Sequence, residues 1–529
     1  MTIENTDLLL VNRGSSSHQI KYEKVKTDIA GSVDATPEAP EDGKQYGRQD
    51  GQWTEIVPTP EYTDADVDAH LNTQTANANQ VLSWSGTDYE WKEAGSGGSG
   101  DPNLISYTYP SGQQRTLQKR LEDYVSIKDF GAVGYDPNDP NDTTDDTVAI
   151  RAAMNAVTSK SVYIPSGFYR ISEHIEIASA LTVFGDGMSS VLVYEPNVQE
   201  QINQPCLKLR VDEGSFEAED HFELHDMQVL KGPNNISYCG VALIDGGDGA
   251  ISGPFNKLVL NNVTIGAFDA PGLGTRGYFE KGLILANTGG VVANNLTISN
   301  NIQGNHFDNS GGARENPDSV GIEIFNNKSR PVIRQLMCTN FYIQDHYTAL
   351  RVSGGGSIES LYMSHGEVKG RRGFILGGVF SASYLAGIHF DCWEGALEIL
   401  SGINHRVIGC DIRADDSVAF PGYLVQLNAN NIVFANNLLD AAGEDGNGAK
   451  GGLIAINDSA PGEEARNISI TDNILKGGGS YNYIALLVQT QGKNVTFGGN
   501  TLYQFAGNNQ PWANLAGSEL YIYGQRGYN

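Results

Sequence analysis

The stretches NIVFANNLL (431–439), NISITDNIL (467–475) and NVTFGGNTL (494–502) share one frame: an Asn, alternating apolar residues, then a second Asn at 437, 473 and 500. NLTISNNIQ (295–303) fits it with Asn301, HRVIGCDIR (405–413) with Asp411 in the same place, and GIHFDCW (387–393) with Asp391. Alternation with a period of two marks a short strand with one buried face. One such strand, recurring at uneven spacing with a polar turn, is the pattern of a β-solenoid whose turns carry insertions. Inward apolar side chains then stack from coil to coil, and an Asn at a repeated turn bonds the backbone of the next coil.

Upstream, TTDDTVAIRAAMNAVTS (143–159) predicts one clear helix over 145–158, capped by Thr144 or Asp145, with Val148, Ile150, Met154 and Val157 mostly on one face. Such a helix covers the first coil, whose edge groups are otherwise unpaired. The first 120 residues read differently. LLLV and HQIKYEKV, within 5–29, predict a hairpin through an Arg-Gly-Ser-Ser turn. Residues 44–58 predict a second with Asp50–Gly51 at its turn, and 80–95 a third with Ser85–Gly86 at its bend and Trp84 and Trp91 packed across it. SGGSGDP (96–102) predicts a flexible break. None of these pieces is large enough to bury a core alone.

Charge narrows the partners. With 35 Lys+Arg against 63 Asp+Glu, the net charge of −28 repels nucleic acid and anionic membranes, so neither is expected. Five cysteines without a CxxC pair argue against disulfide frameworks and zinc clusters and predict buried free thiols. MTIENTD lacks a basic segment followed by an apolar core, and no apolar run approaches ~18 residues, so neither a signal peptide nor a membrane span is expected. A Gly-rich phosphate loop and a Ser/His/Asp elbow are both missing, which sets nucleotide and acyl chemistry aside. No cofactor is expected.

SIKDFGAVG (126–134), TDDTVAIRAAMNA (144–156), VYIPSGFYRIS (162–172) and ALTVFGDG (180–187) together resemble the entry segment of pectate-lyase-like right-handed parallel β-helices, in particular those of bacteriophage tailspikes. YTYPSGQQRTLQKRLEDYV (107–125) is similar to the neck that leads into many such spikes. One departure is that GYDPNDPNDTTDD (134–146) replaces the usual Gly-Asp-Gly turn. The resemblance implies an all-β chain: a virion-anchoring module at 1–32, adaptor modules at 33–95, linker and neck at 96–122, the β-helix at 123–510 and a tail at 511–529. It also implies a homotrimer in the virion tail, docking on other tail proteins through 1–95, with a host surface glycan that the β-helix recognises and, in some of the family, cleaves. The alternative is a structural, non-catalytic tail component.

Glycoside hydrolysis needs two carboxylates about 5–5.5 Å apart for retention or about 6.5–9.5 Å for inversion. Coils about 4.8 Å apart bring like positions into that range. Asp391, Glu394 and Asp411 are therefore the expected catalytic set, with Trp393 as a sugar-stacking face, His389 as a titratable neighbour, and Arg371 and Arg372, beside His365 and Glu367, as a basic spot for anionic sugar. The competing reading makes Asp391 and Asp411 variants of the turn Asn, and 365–372 a solvated loop. Asp415 and Asp416 are expected to face water, and Tyr278–Phe279 and Phe341–Tyr342 to serve core or interface. The run 136–146 lacks the order of an EF-hand loop, so a solvated turn and helix cap is expected there and no metal site.

Overall fold

A computed structural model describes residues 8–13, 16–21, 46–49, 52–55, 80–84, 89–93, 106–108 and 114–116, then 124–528 except 140, 157–160, 212–219, 234–235, 246–256, 269–276, 301–315, 329–335, 415–421, 442–451, 458–464, 478–483, 490–492, 504, 506–510 and 515–518. The chain divides into two compact units, Met1–Ile105 and Ser106–Asn529. In the first, three antiparallel hairpins pair Leu8–Arg13 with Ser16–Lys21, Tyr46–Gln49 with Gln52–Glu55, and Gln80–Trp84 with Tyr89–Glu93. The third sets Trp84 opposite Tyr89 and Trp91 opposite Leu82. The packing of those rings lies outside the described residues.

The second unit is a right-handed parallel β-helix. One coil runs Asn430–Ala435, Leu438–Asp440 and Gly452–Ile456, and each strand pairs in parallel with its counterpart one coil on. Three sheets result. In the middle of the helix the strands bend through all three without a break, as Leu336–Ser353, Ile358–Leu376 and Phe380–Ile399. Alternate residues point into a lumen of Ile, Val, Leu and Phe that forms one continuous core. All five cysteines are buried and free, as expected. Trp512–Asn514, Leu520–Tyr523 and Arg526–Tyr528 continue the same sheets, so the β-helix passes the expected limit at 510 and takes up the segment read as a tail. A further hairpin, Ser106–Thr108 with Gln114–Thr116, lies in the span read as linker and neck.

The helix is shorter than expected, Thr147–Asn155, and its buried face is Thr147, Ile150, Ala153 and Met154. Val148 is 76% exposed instead, because it lies two residues from Ile150 and therefore on another side of the turn; Val157 lies outside the described residues. Ile150, Ala153 and Met154 join the lumen core at its first coil, beside Ile127 and Val162. Asp146 occupies the N-cap, yet its carboxylate accepts from the Val133 and Gly134 backbone N–H groups at 2.8 and 3.1 Å, and Asp145 accepts from Thr147 N–H at 3.0 Å. Asp136, Asp139 and Asp142 each accept from the backbone N–H two residues on, all at 2.9 Å. The three-residue acidic spacing is thus a chain of Asx turns. Asp146→Ala leaves two N–H groups without acceptors in a part-buried site and is expected to destabilise the helix entry by about 1–2 kcal/mol. The denaturant midpoint checks this; Asp146→Asn, which keeps one acceptor oxygen, should lose less.

The repeated asparagines form an inner ladder. Asn437, Asn473 and Asn500 are buried, and the side-chain oxygen of each accepts the backbone N–H one coil back, from Cys410, Asn437 and Asn473, at 2.9–3.0 Å. Their amide NH2 groups donate to Val407 O, Phe434 O and Ile470 O. Outside, two further columns have left-handed backbone. One holds Ser360, Ala382, Asn404, Asn431, Asn467 and Asn494, the other Asn262, Asn295, Asn340, His365, Asn436 and Asp472. Asn tolerates that conformation better than most residues.

These columns correct three frames. Ile408 pairs with Ala435, so Cys410, not Asp411, stands where Asn437 stands in the next coil. Asp411 pairs with Leu438, and Asp391 pairs with Arg413, which rules out turn-asparagine variants for both. Through the coils at Asn340, His365, Gly387 and Gly409, Asn295 aligns with Asn436 rather than Asn431. Asn301 lies outside the described residues.

Candidate functional site

The expected site residues sit on the outer face of the second sheet and at the bend that follows it. Pairing across that sheet sets Glu367, His389 and Asp411 in one outward column and Lys369, Asp391, Arg413, Asp440 and Lys476 in the next. The second column alternates in sign, one charge per coil, so Asp391 and Asp440 each have a cation on the coil before and the coil after. Lys476 Nζ bonds Asp440 at 2.8 Å, and Lys369 Nζ bonds Glu367 at 2.6 Å. That bond, then Asp391 more weakly, raises the Lys369 pKa against the opposing effect of burial. Asp411 is held by Arg413 through two bonds, Nε at 3.1 Å and Nη2 at 2.8 Å, and by His389 Nδ1 at 3.1 Å.

Glu394 is placed by a register shift between Gly370 and Arg372. Its carboxylate pairs with Arg371, whose guanidinium lies over the Tyr347 ring at 5.1 Å, and it accepts from the Tyr347 hydroxyl at 3.5 Å. Arg372 turns the other way and pairs with Glu398. The basic spot at 371–372 is therefore two separate ion pairs. Trp393 is 7% exposed, so it offers no open stacking face. Tyr278, Phe279 and Phe341 are buried, as a core reading requires, whereas Tyr342 is half-buried in register with Glu367. Asp415 and Asp416 lie outside the described residues. Among the described residues no group of three His, Cys, Asp or Glu side chains is arranged to hold a metal ion.

So Asp391 and Asp411 occupy neighbouring coils but different columns, and Asp411 and Glu394 are each committed to a guanidinium. Glycosidases place a proton-donating carboxyl beside a second carboxylate. Here Lys369 and Arg413 flank Asp391 on the neighbouring coils, and Arg413 and Arg371 pair with Asp411 and Glu394. The outward face nonetheless offers ammonium, guanidinium, imidazole and carboxylate groups in register over five coils, a set that can hydrogen-bond a polyhydroxyl chain.

Residues 124–358 match the model of the family described as rhamnogalacturonase A/epimerase, pectate lyase-like. Among curated proteins no sequence matches the chain. Solved structures similar to it include bacteriophage CBA120 tailspike protein 3, at 13% identity and TM-score 0.43 over 90% of this chain and 70% of that one. PfbA, a surface adhesin of Streptococcus pneumoniae, is similar at 14% identity and TM-score 0.46 over 77% and 92%. The Azotobacter vinelandii mannuronan C-5 epimerase AlgE6 A-module is similar at 14% and 0.41 over 77% and 99%. The family match ends at 358, before the charged columns, so it assigns no role to Asp391, Glu394 or Asp411.

Sequence reading missed a second set of acid–base pairs on the third sheet. Arg351 bonds Glu323 through Nε at 3.0 Å and Nη2 at 2.6 Å, and Lys281 lies 3.9 Å from the same carboxylate. Glu323 and Arg351 are register partners one coil apart, a relation visible only once the coils are aligned.

Proposed function

We propose that this chain is a bacteriophage tailspike that binds a host surface polysaccharide through its β-helix, with residues 1–95 docking on the virion tail and three copies in the working particle. The pectate-lyase-like match over 124–358 carries the reading, and the outward columns of carboxylate, imidazole, ammonium and guanidinium groups support it. The hairpins before residue 94 support the docking role: each is too small for a core of its own and needs a partner to be ordered.

Binding without cleavage is the reading the site supports, because Asp411 and Glu394 are ion-paired and Asp391 stands between Lys369 and Arg413 on the flanking coils. The test incubates the full chain with surface polysaccharide from the host and follows both binding and polymer mass. Binding with unchanged mass is expected. A fall in mass that Asp391→Asn, Asp411→Asn or Glu394→Gln abolishes would restore the catalytic assignment. No binding to any host glycan would leave the structural alternative. Deleting 1–95 is expected to leave glycan binding intact and to abolish incorporation into tails; incorporation of the truncated chain would move the anchor elsewhere.

A further inference from the structure

The two outward columns of the second sheet change character in their C-terminal coils. After Glu367, His389 and Asp411 the first column continues as Leu438, Ile474 and Thr501. After Arg413 the second continues as Asp440, Lys476 and Tyr503. The residues between them, Leu439, Leu475 and Leu502, are buried in the lumen, so these six side chains point outward. Ile474 is 45% exposed and Tyr503 37%, and Leu438 is half-buried. Beside the two aliphatic residues lies the Asp440–Lys476 pair, bonded at 2.8 Å with both side chains partly open to solvent. An aliphatic pair, a carboxylate–ammonium pair and a phenol ring thus occupy three successive coils, about 10 Å along the axis.

We propose that this patch is a subsite for an N-acetylhexosamine unit of the bound polysaccharide. The inference rests on the glycan-binding reading above and names one sugar of that glycan. An acetamido group presents an N–H donor, a carbonyl acceptor and a methyl, and the patch holds a complement for each. Asp440 accepts from the N–H, Lys476 donates to the carbonyl, and Leu438 and Ile474 take the methyl out of water. A carboxylate accepts through two oxygens and an ammonium carries three donors, so the pair keeps its own bond while serving the ligand. Tyr503, one coil on from Lys476, offers its ring to the apolar face of the sugar. A plain hexose leaves the aliphatic pair uncovered. A free aminosugar brings a second ammonium beside Lys476 and no methyl, which selects against it. Lys369, Asp391 and Arg413 show the same alternation of charge, but their neighbours in the first column are Glu367, His389 and Asp411. Those coils offer no methyl contact, so the acetamido complement is confined to the coils after Asp411.

Saturation-transfer NMR of the full chain with methyl glycosides of N-acetylglucosamine, N-acetylgalactosamine, glucosamine, glucose and rhamnose tests the proposal. One of the N-acetylhexosamines should bind about 10-fold more tightly than glucosamine and glucose, with its acetyl methyl the most strongly saturated group. Ile474→Ser and Lys476→Met both change outward side chains and should keep the wild-type unfolding midpoint. Each should weaken that binding by about fivefold or more. Gln426→Ala, outward on the third sheet, should leave it unchanged. Equal binding of rhamnose, saturated at its C6 methyl, overturns the acetamido assignment in favour of a deoxy sugar. Binding that either folded variant leaves unchanged removes that side chain from the contact and overturns the subsite. Host polysaccharide bound by the full chain while neither N-acetylhexosamine binds overturns the subsite and leaves the glycan reading standing. No binding of polysaccharide or monosaccharide overturns both.

Discussion

Asn473→Ala is expected to cost about 3–5 kcal/mol and to uncouple the last coils from the rest. The Asn473 side chain accepts from Asn437 N–H at 2.9 Å and from the Asn437 amide at 3.0 Å, and donates to Phe434 O at 3.1 Å and Asn500 Oδ1 at 2.9 Å. It is 1% exposed, so water does not replace those partners. Truncation orphans a backbone donor, Asn437 N–H, and a backbone acceptor, Phe434 O, both in the preceding coil. Asn473→Asp should be at least as damaging, since it sets a buried carboxylate oxygen against two acceptors. The outer ladder gives the contrast. Asn467 donates to Asn431 Oδ1 at 2.9 Å but is exposed, with φ of 55°. Asn467→Ala should cost only about 1 kcal/mol, most of it backbone strain. A solenoid unfolds by nearest-neighbour coupling. Limited proteolysis should therefore clip Asn473→Ala within the C-terminal coils while the upstream helix resists. Equal effects at Asn467 and Asn473 would sink the distinction between the two ladders.

Acid is expected to destabilise the β-helix through two buried histidines. His346 is 1% exposed and bonds Ser319 Oγ at 3.0 Å and the Asn300 amide at 3.3 Å; burial, then the Lys281 charge, lowers its pKa to about 3. His405 faces Ser383 Oγ at 2.9 Å inside the lumen, and burial lowers its pKa to about 4. Both folded values lie below the unfolded value of about 6.5, so the unfolded chain takes up protons first. Stability is complete above that value and falls as pH drops through the window from about 6.5 towards 4 and 3. Between pH 7 and pH 4 the two together should remove roughly 6 kcal/mol. Urea midpoints across that range check the size. Ser383→Ala/His405→Leu puts apolar side chains in a column already holding Leu361, Ile432 and Ile468, and should remove about half of the pH dependence. An unchanged slope in that variant would assign the acid sensitivity to other groups.

The repeats at 431, 467 and 494 were legible because each keeps Asn at the inner ladder slot, where the backbone of the preceding coil demands an acceptor. The repeats at 295 and 405 misled because two left-handed columns flank the same strand and both favour Asn. An Asn in isolation does not say which column it belongs to. In the 405 frame the error was one residue, and in a strand one residue exchanges inside for outside. His405, read as the first Asn of the frame, is buried in the lumen, and the true counterpart of Asn431 is Asn404. The site set inherited that slip. Asp391 and Asp411 looked like equivalents one coil apart, whereas the pairing sets Asp411 against His389 and Asp391 against Arg413.

Local pattern was enough for whatever depends on neighbours in sequence: strand alternation, the hairpins that pair Leu8–Arg13 with Ser16–Lys21 and Tyr46–Gln49 with Gln52–Glu55, the helix at the entry, and the solenoid class itself. The relations between coils were decided only by tertiary structure. The number of residues between equivalent positions varies from 21 between Ser161 and Thr182 to 45 between Val291 and Leu336, because insertions enter at the turns. Hydrogen bonding between coils absorbs those insertions and fixes the register, and register alone determines which charges stand one coil apart. That is why the alternating charges of the second sheet and the Glu323–Arg351 pair of the third appear only once the chain is wound.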